Sequence, residues 1–242
     1  MTPDDESGHR VFEDVLDEVL SFNYRSLRTL RDIFLRPGAV ARSFLSGDRD
    51  TYTPTMRVWF GVVSWMFLLS IIWGGFGELM LRAASAGGTP LEELIIAGHR
   101  DIGAVTDTVS SVAGILSVPL SSLFVTAGIF ILRRFRPSVS LITTVQCYFI
   151  PVTAVALSST FILLASGLES RVLNYAGLMN FLVLLAIGYP VVRAGFADGV
   201  TGAAIKTAVL AASILALSVL SNMLTLTISM LYALQAVAPV SG

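Results

Sequence analysis

The 242-residue sequence has one cysteine, one lysine and two histidines. A lone Cys147 excludes an intramolecular disulfide and a zinc site built on several cysteines. His9 and His99 both lie outside the long apolar runs, and His99 beside Glu92 and Glu93 reads as a surface histidine in an acidic loop. No HExxH, no GxSxG and no phosphate-cradling glycine loop occurs, so no catalytic residue, cofactor or metal is expected. Charge is scarce as well. Charged residues make up 14% of the chain, against about 25% in soluble domains. A net charge of −1 removes any global pull toward nucleic acid. The N-terminal MTPDDESGHR has neither an apolar core nor an arginine-rich transit pattern, so the first apolar run is expected to target the chain itself.

Apolar sequence is abundant. Hydrophobic residues reach 54% and mean hydropathy is +0.76. That excess does not fit inside a water-soluble globule, and the bilayer is the expected solvent. A spanning helix needs about 20 mainly apolar residues. Five segments qualify: 58–77, 109–132, 139–166, 172–192 and 203–237. The last is too long for one perpendicular span, so it must tilt or protrude. The expected fold is all-α, a polytopic bundle of five transmembrane helices at 58–242. An amphipathic arm and juxtamembrane collar at 1–57 precede it. In the one longer connection, Thr89, Pro90 and Glu92 form a capping pattern that predicts a short surface helix.

Lysine and arginine counting sets the orientation. Thirteen of the sixteen basic residues fall in the arm, the 133–138 connection and the 193–202 connection with the turns after it. The other side receives Arg82, Arg100 and Arg171, together with Glu78, Glu92, Glu93, Asp101 and Asp107. The arm is therefore expected in the cytoplasm, and the C-terminus periplasmic or extracellular.

In the arm, Val11, Phe12, Val15, Leu16, Val19 and Leu20 recur at one-face helical spacing, continued by Leu27, Leu30 and Phe34. Arg25, Arg28, Arg31, Arg36, Arg42, Arg49 and Arg57 follow, interleaved with Phe34, Phe44, Tyr52 and Trp59. Basic amphipathic helices lie on anionic membrane surfaces, where each Lys or Arg adds about 1 kcal/mol. The stretch reads as a collar that orients the bundle, or as a specific lipid-headgroup or protein-docking surface. Asp32, Asp48 and Asp50 dilute its charge, and no nucleic-acid motif is present.

Within the spans, Pro119, Pro151 and Pro190 mark helix kinks, or hinges of a transport path. Gln146, Asn174, Asn180 and Asn222 are expected to hydrogen-bond between helices, at about 0.6 to 2 kcal/mol each. No charged residue lies near the middle of any span, which weighs against ion-coupled transport. Ala204, Ala208, Ala212 and Ala216 form a small-residue seam for close packing, with another span of the chain as the expected partner and a homodimer as the alternative.

Arg36, Pro37, Gly38, Gly47, Arg49, Tyr52 and Pro54, just ahead of an aromatic-rich span, resemble the opening of a bacterial membrane domain of unknown function. Many members of that family carry a zinc ribbon first, whose cysteines are absent here. The later half, "SLITTVQCYFIPVTAVAL" and "VVRAGFADGVTGAAIKTAVLAA", resembles the Yip superfamily of five-span proteins, with Tyr148 and Pro151 at the matching helix entry. The resemblance covers roughly residues 27–235. It implies a five-helix bundle with a cytoplasmic N-terminus, here in the bacterial inner membrane. The function expected is a non-enzymatic module that binds anionic lipid or protein partners, alone or as an oligomer of like or unlike chains. The alternative is a transporter, channel or lipid-moving protein using the proline-bearing spans two to four.

Overall fold

A computed structural model describes residues 24–48, 50–70, 101–166 and 170–237. Arg49, the arm before Tyr24, the expected surface helix at 89–100 and the last seven residues of the first span lie outside the described residues. Among the described residues every regular element is helical: α1 Tyr24–Leu35, α2 Pro37–Leu45, α3 Thr55–Ser70, α4 Ile102–Phe135, α5 Leu141–Ser166, α6 Ser170–Gly195 and α7 Val200–Ala236. Helices α4 to α7 contain four segments long and apolar enough to cross a membrane. They fall where the sequence places spans two to five. The first expected span corresponds to α3, which is described only as far as Ser70.

The helix boundaries differ from the sequence reading by a few residues, most of all at the start of α4. Helix α4 starts seven residues before the expected Val109, because Asp101 caps it. The Asp101 carboxylate accepts the Gly103 N–H at 2.8 Å and the Ala104 N–H at 3.4 Å, satisfying N–H groups that a helix start leaves orphaned. Asp107, read as part of a connection, therefore lies on the helix. Helix α7 has 37 residues, about 55 Å at 1.5 Å per residue, well beyond a hydrocarbon layer of about 30 Å.

The chain divides into two compact units. The first comprises Met1–Trp65, Leu132–Leu157 and Val183–Ala208. It holds α1, α2, most of α3, the C-terminal ends of α4 and α6, and the N-terminal ends of α5 and α7. Its core is built from Ile33, Val40, Ala41, Val58, Leu132, Tyr148, Ile150, Val191, Val192 and Phe196. Helix α2 is part of that core. Full burial of a valine such as Val40 is worth about 1.5–3 kcal/mol over exposure, so α2 is fastened into the protein and does not rest on it as a surface helix. The second unit comprises Met66–Ile131, Ser158–Leu182 and Val209–Gly242. There Val105 and Val109 of α4 pack with Ala233 of α7, flanked by Met230 and Val237.

Among the described residues the alanine seam is not a packed face. Ala204, Ala208, Ala212 and Ala216 are all exposed, whereas Ala203, Thr207, Leu210, Ala211 and Ile214 are buried. Residues 203, 207 and 211 are small at the same four-residue spacing, about 100° around the helix. It is this stripe that meets α6: a Cβ built on Gly188 would stand 3.3 Å from Thr207 Cγ2.

Candidate functional site

All the described basic residues except Arg171 fall in the first unit, and the local structure of the arm decides how they are presented. Helix α1 is two-faced. Ser26, Thr29, Asp32 and Ile33 are buried. Tyr24, Leu27, Phe34 and Leu35 are exposed, Leu27 at 54% and Leu35 at 69%, and at helical spacing they share one face with Arg28 and Arg31. The helix thus turns its polar side into the protein and its apolar, arginine-bearing side outward.

The reason is the segment at 52–53. Thr53 donates its N–H to Thr29 Oγ1 at 2.9 Å, and Ser26 Oγ lies 3.3 Å from Thr53 Oγ1. The Tyr52 phenol donates to Asp32 Oδ2 at 3.1 Å. Arg25 donates to the Tyr52 carbonyl at 2.9 Å, and the Arg28 guanidinium stands 5.7 Å from the centre of the Tyr52 ring. Arg31 closes the knot with an ion pair to Asp32 Oδ1 at 2.8 Å. Burial pushes the Asp32 carboxyl up, but hydrogen bonds from Arg31 and Tyr52 and the charges of Arg31 and Arg28 outweigh it, leaving the carboxyl below its usual range. Burial, and then the Asp32 carboxylate, raise the Tyr52 phenol.

Arg36, Pro37 and Gly38 each do something different. Arg36 leaves helical geometry at φ −143°. Pro37 begins α2 at the position where a missing N–H is harmless. Gly38 allows close approach: a Cβ there would lie 3.1 Å from the Pro190 carbonyl oxygen on α6. At the other end of α2, Gly47 takes φ +81°. Its N–H bonds to the Phe44 carbonyl at 3.2 Å, and the Asp48 N–H to the Ser43 carbonyl at 3.0 Å, the pair of bonds that closes a glycine-terminated helix. Asp48 then anchors the next turn. Hydrogen bonds from the Thr51 side chain, from the Asp50 and Thr51 backbone and from Ser43 hold its carboxyl down to about 2.

An open groove of about 730 Å³ lies between the start of α2 and the last turns of α6. Its lining includes Arg36, Arg42 and Arg193 with Leu35, Pro37, Tyr189 and Pro190, and none of its ten lining residues is acidic. All three arginines are exposed. Arg57 is exposed as well, on the first turn of α3.

Of the expected intramembrane amides, Gln146 accepts hydrogen bonds from Thr55. Asn180 donates to Ser159 Oγ at 2.9 Å, while its Oδ1 is buried with no partner among the described residues, as are Ser221 Oγ and Ser229 Oγ. Asn222 is exposed, and the side chain of Asn174 lies outside the described residues. Helices α4, α5 and α6 run through Pro119, Pro151 and Pro190. Pro119 is exposed, Pro151 buried, and Pro190 supplies the surface met by Gly38.

Two cations that the sequence reading merely counted have definite structural roles. Lys206 Nζ donates to the Phe196 carbonyl at 2.8 Å and lies 3.4 Å from the Phe135 carbonyl. Arg136 donates to the Gly195 carbonyl at 2.8 Å. Both sit where helix C-termini present unpaired carbonyls and negative dipole ends. The available signal was position: Lys206 is the only lysine, and it stands inside an apolar run. Among the described residues no group of three or more His, Cys, Asp or Glu is placed to hold a metal.

Residues 25–67 match a family described as "Protein of unknown function (DUF3667)". The matched segment runs from α1 into α3 and contains the Asp32–Tyr52 knot, both termini of α2 and Thr55. No curated protein and no solved structure matches the chain.

Proposed function

We propose that this chain is a non-enzymatic membrane module of five spans and Yip-like architecture. It sits in the bacterial inner membrane, with the arm cytoplasmic and the C-terminus outside, and its arm engages anionic lipid. The observation that carries this reading is the outward face of α1. Tyr24, Leu27, Phe34 and Leu35 beside Arg28 and Arg31 make an apolar strip edged with guanidiniums, the pattern of a helix lying in the headgroup layer of an anionic membrane. The fixed polar side of α1 holds that strip outward, so it is presented without further folding.

The test uses the full chain in nanodiscs, with an environment-sensitive dye on Phe34→Cys in a Cys147→Ser background. The dye is expected to report an apolar surrounding in phosphatidylglycerol and a more aqueous one in phosphatidylcholine. Identical spectra would sink the lipid reading. Reporter fusions at Gly88, Ser138 and Gly242 should read outside, inside, outside; any other order rejects the five-span topology.

A transport path through the proline-bearing spans is the second reading. It draws on the buried, unpartnered Asn180 Oδ1, since such groups in a protein interior call for water or a polar solute. Labelling of Asn180→Cys by a membrane-impermeant thiol reagent, again in the Cys147→Ser background, would favour it; complete protection would remove it.

A further inference from the structure

We infer that the groove between the start of α2 and the end of α6 is a binding site for the phosphate headgroup of an anionic phospholipid. The inference rests on the lipid-engaging reading above and assigns it a specific pocket. Three observations carry it.

The first is charge without compensation. Arg36 at the N-cap of α2, Arg42 on α2 and Arg193 on α6 reach the groove from two stretches distant in sequence, and no lining residue is acidic. Elsewhere in the same unit Arg31 has its carboxylate, in Asp32. Among the described residues these three form no ion pair. Guanidinium groups meet phosphate through paired, planar hydrogen bonds, and several converging on one site favour an anion with more than one acceptor oxygen.

The second is location. Arg193 and Tyr189 lie in the last turns of α6, at the end of the segment Tyr175–Gly195 that is long and apolar enough to cross a membrane. Arginine and tyrosine at the end of a span sit at headgroup level, where lipid phosphates are concentrated.

The third is the rest of the lining. Leu35 and Pro190 give the groove an apolar wall, and Leu35 also belongs to the exposed apolar face of α1. A soluble phosphate has no use for such a wall, whereas a phospholipid has glycerol and acyl carbons to lay against it. The N-terminus of α2 contributes little to anion binding. Pro37 has no N–H, and the Ala39 and Val40 N–H groups already bond to the Arg36 carbonyl at 2.9 and 3.2 Å.

The test is a titration of the full chain in a neutral detergent with phosphatidylglycerol or phosphatidylcholine, counting bound lipid by native mass spectrometry. The wild type is expected to hold one phosphatidylglycerol tightly and no phosphatidylcholine. Arg42→Gln should weaken that binding about tenfold, the size of one lost charge-assisted contact. Arg36→Gln/Arg42→Gln and Arg193→Gln should weaken it at least as much. Arg133→Gln/Arg134→Gln removes the same charge as the double variant from outside the groove and should leave the tight site intact. Circular dichroism shows which variants keep their helix content, and Arg42→Gln, on an exposed side chain, is the reading to rely on if the double variant unfolds. Equal losses in the groove pair and the control pair would overturn the groove site while leaving a general lipid-binding arm. A wild type without preference for phosphatidylglycerol would overturn both. Displacement of the lipid by an equal concentration of inorganic phosphate, or by an acidic peptide, would overturn the assignment to a phospholipid.

Discussion

Thr55 and Gln146, 91 positions apart, are joined by the α3 N-terminus: the Thr55 N–H donates to Gln146 Oε1 at 2.6 Å, and the Thr55 hydroxyl to the Gln146 carbonyl at 2.6 Å. The start of the first expected span is therefore capped by a side chain of α5. Thr55 is fully buried, so water is not available to replace the amide. Gln146→Leu should cost about 1–3 kcal/mol, the penalty of an unsatisfied buried donor. Gln146→Glu keeps an acceptor and places negative charge at a helix N-terminus, and should cost less. Melting of the purified chain followed by circular dichroism checks the order; equal losses would deny the cap.

The Asp32–Tyr52 knot predicts a plateau of stability bounded on both sides. The folded Asp32 carboxyl lies below its ordinary value of about 4, so its contribution is present above that value and lost as pH falls through the lower folded one. The Asp48 carboxyl, held down to about 2, behaves the same way. The Tyr52 phenol is raised above its ordinary value of about 10, so its share is full below that pH and lost as pH rises through the folded value. Melting temperature should be flat between and fall on either side. Asp32→Asn should shrink the acid limb and Tyr52→Phe the alkaline one, with Tyr52→Phe costing about 1 kcal/mol at neutral pH. Acid limbs that superimpose in wild type and Asp32→Asn would refute the linkage.

Three glycines should separate by mechanism. Gly38→Ala sets a methyl 3.1 Å from the Pro190 carbonyl oxygen, a backbone atom that cannot swing aside, and should cost about 1–3 kcal/mol. Gly47→Ala imposes a side chain at φ +81° and should cost about 1–2 kcal/mol. A Cβ at Gly202, on the first turn of α7, meets nothing within 4 Å, so Gly202→Ala should be neutral or gain up to about 1 kcal/mol. The same melting assay ranks them.

On α7 the two small-residue stripes should respond oppositely. Ala211→Leu pushes a larger side chain into a packed position and should cost about 1–3 kcal/mol. Ala208→Leu points out of the chain and should leave the monomer's melting unchanged. A loss at Ala208 comparable with that at Ala211 would place the exposed stripe in an interface between copies, readable as a change of mass in detergent.

Helix content and the course of spans two to five were legible because apolar runs of spanning length have no other stable arrangement in lipid: every backbone group must be satisfied within the helix. Arg36, Pro37, Gly38 and Gly47 stood out through the resemblance of the 36–54 stretch to a bacterial membrane domain, whereas the φ of +81° at Gly47 belongs to the structure. The faces were less legible. Leu27 and Phe34 made α1 look amphipathic, which it is, but periodicity does not reveal that Ser26, Thr29 and Asp32 form the side turned inward. Asp32 read as a diluter of positive charge because its partner, Tyr52, lies 20 residues away.

Composition and periodicity alone pointed to long apolar helices suited to a membrane, with the basic residues gathered around alternate connections. Those properties follow from transfer free energies and helical repeat, which act locally along the chain. Tertiary structure alone decided that one face of α2 is buried, that the in-chain stripe is Ala203–Thr207–Ala211, that Lys206 caps helix ends, and that Arg36, Arg42 and Arg193 line one groove. Each depends on which distant backbone comes within a few ångströms. Gly38 on Pro190 and Gly188 beside Thr207 show why: contact distance is set by packing between helices, on which a one-dimensional pattern is silent.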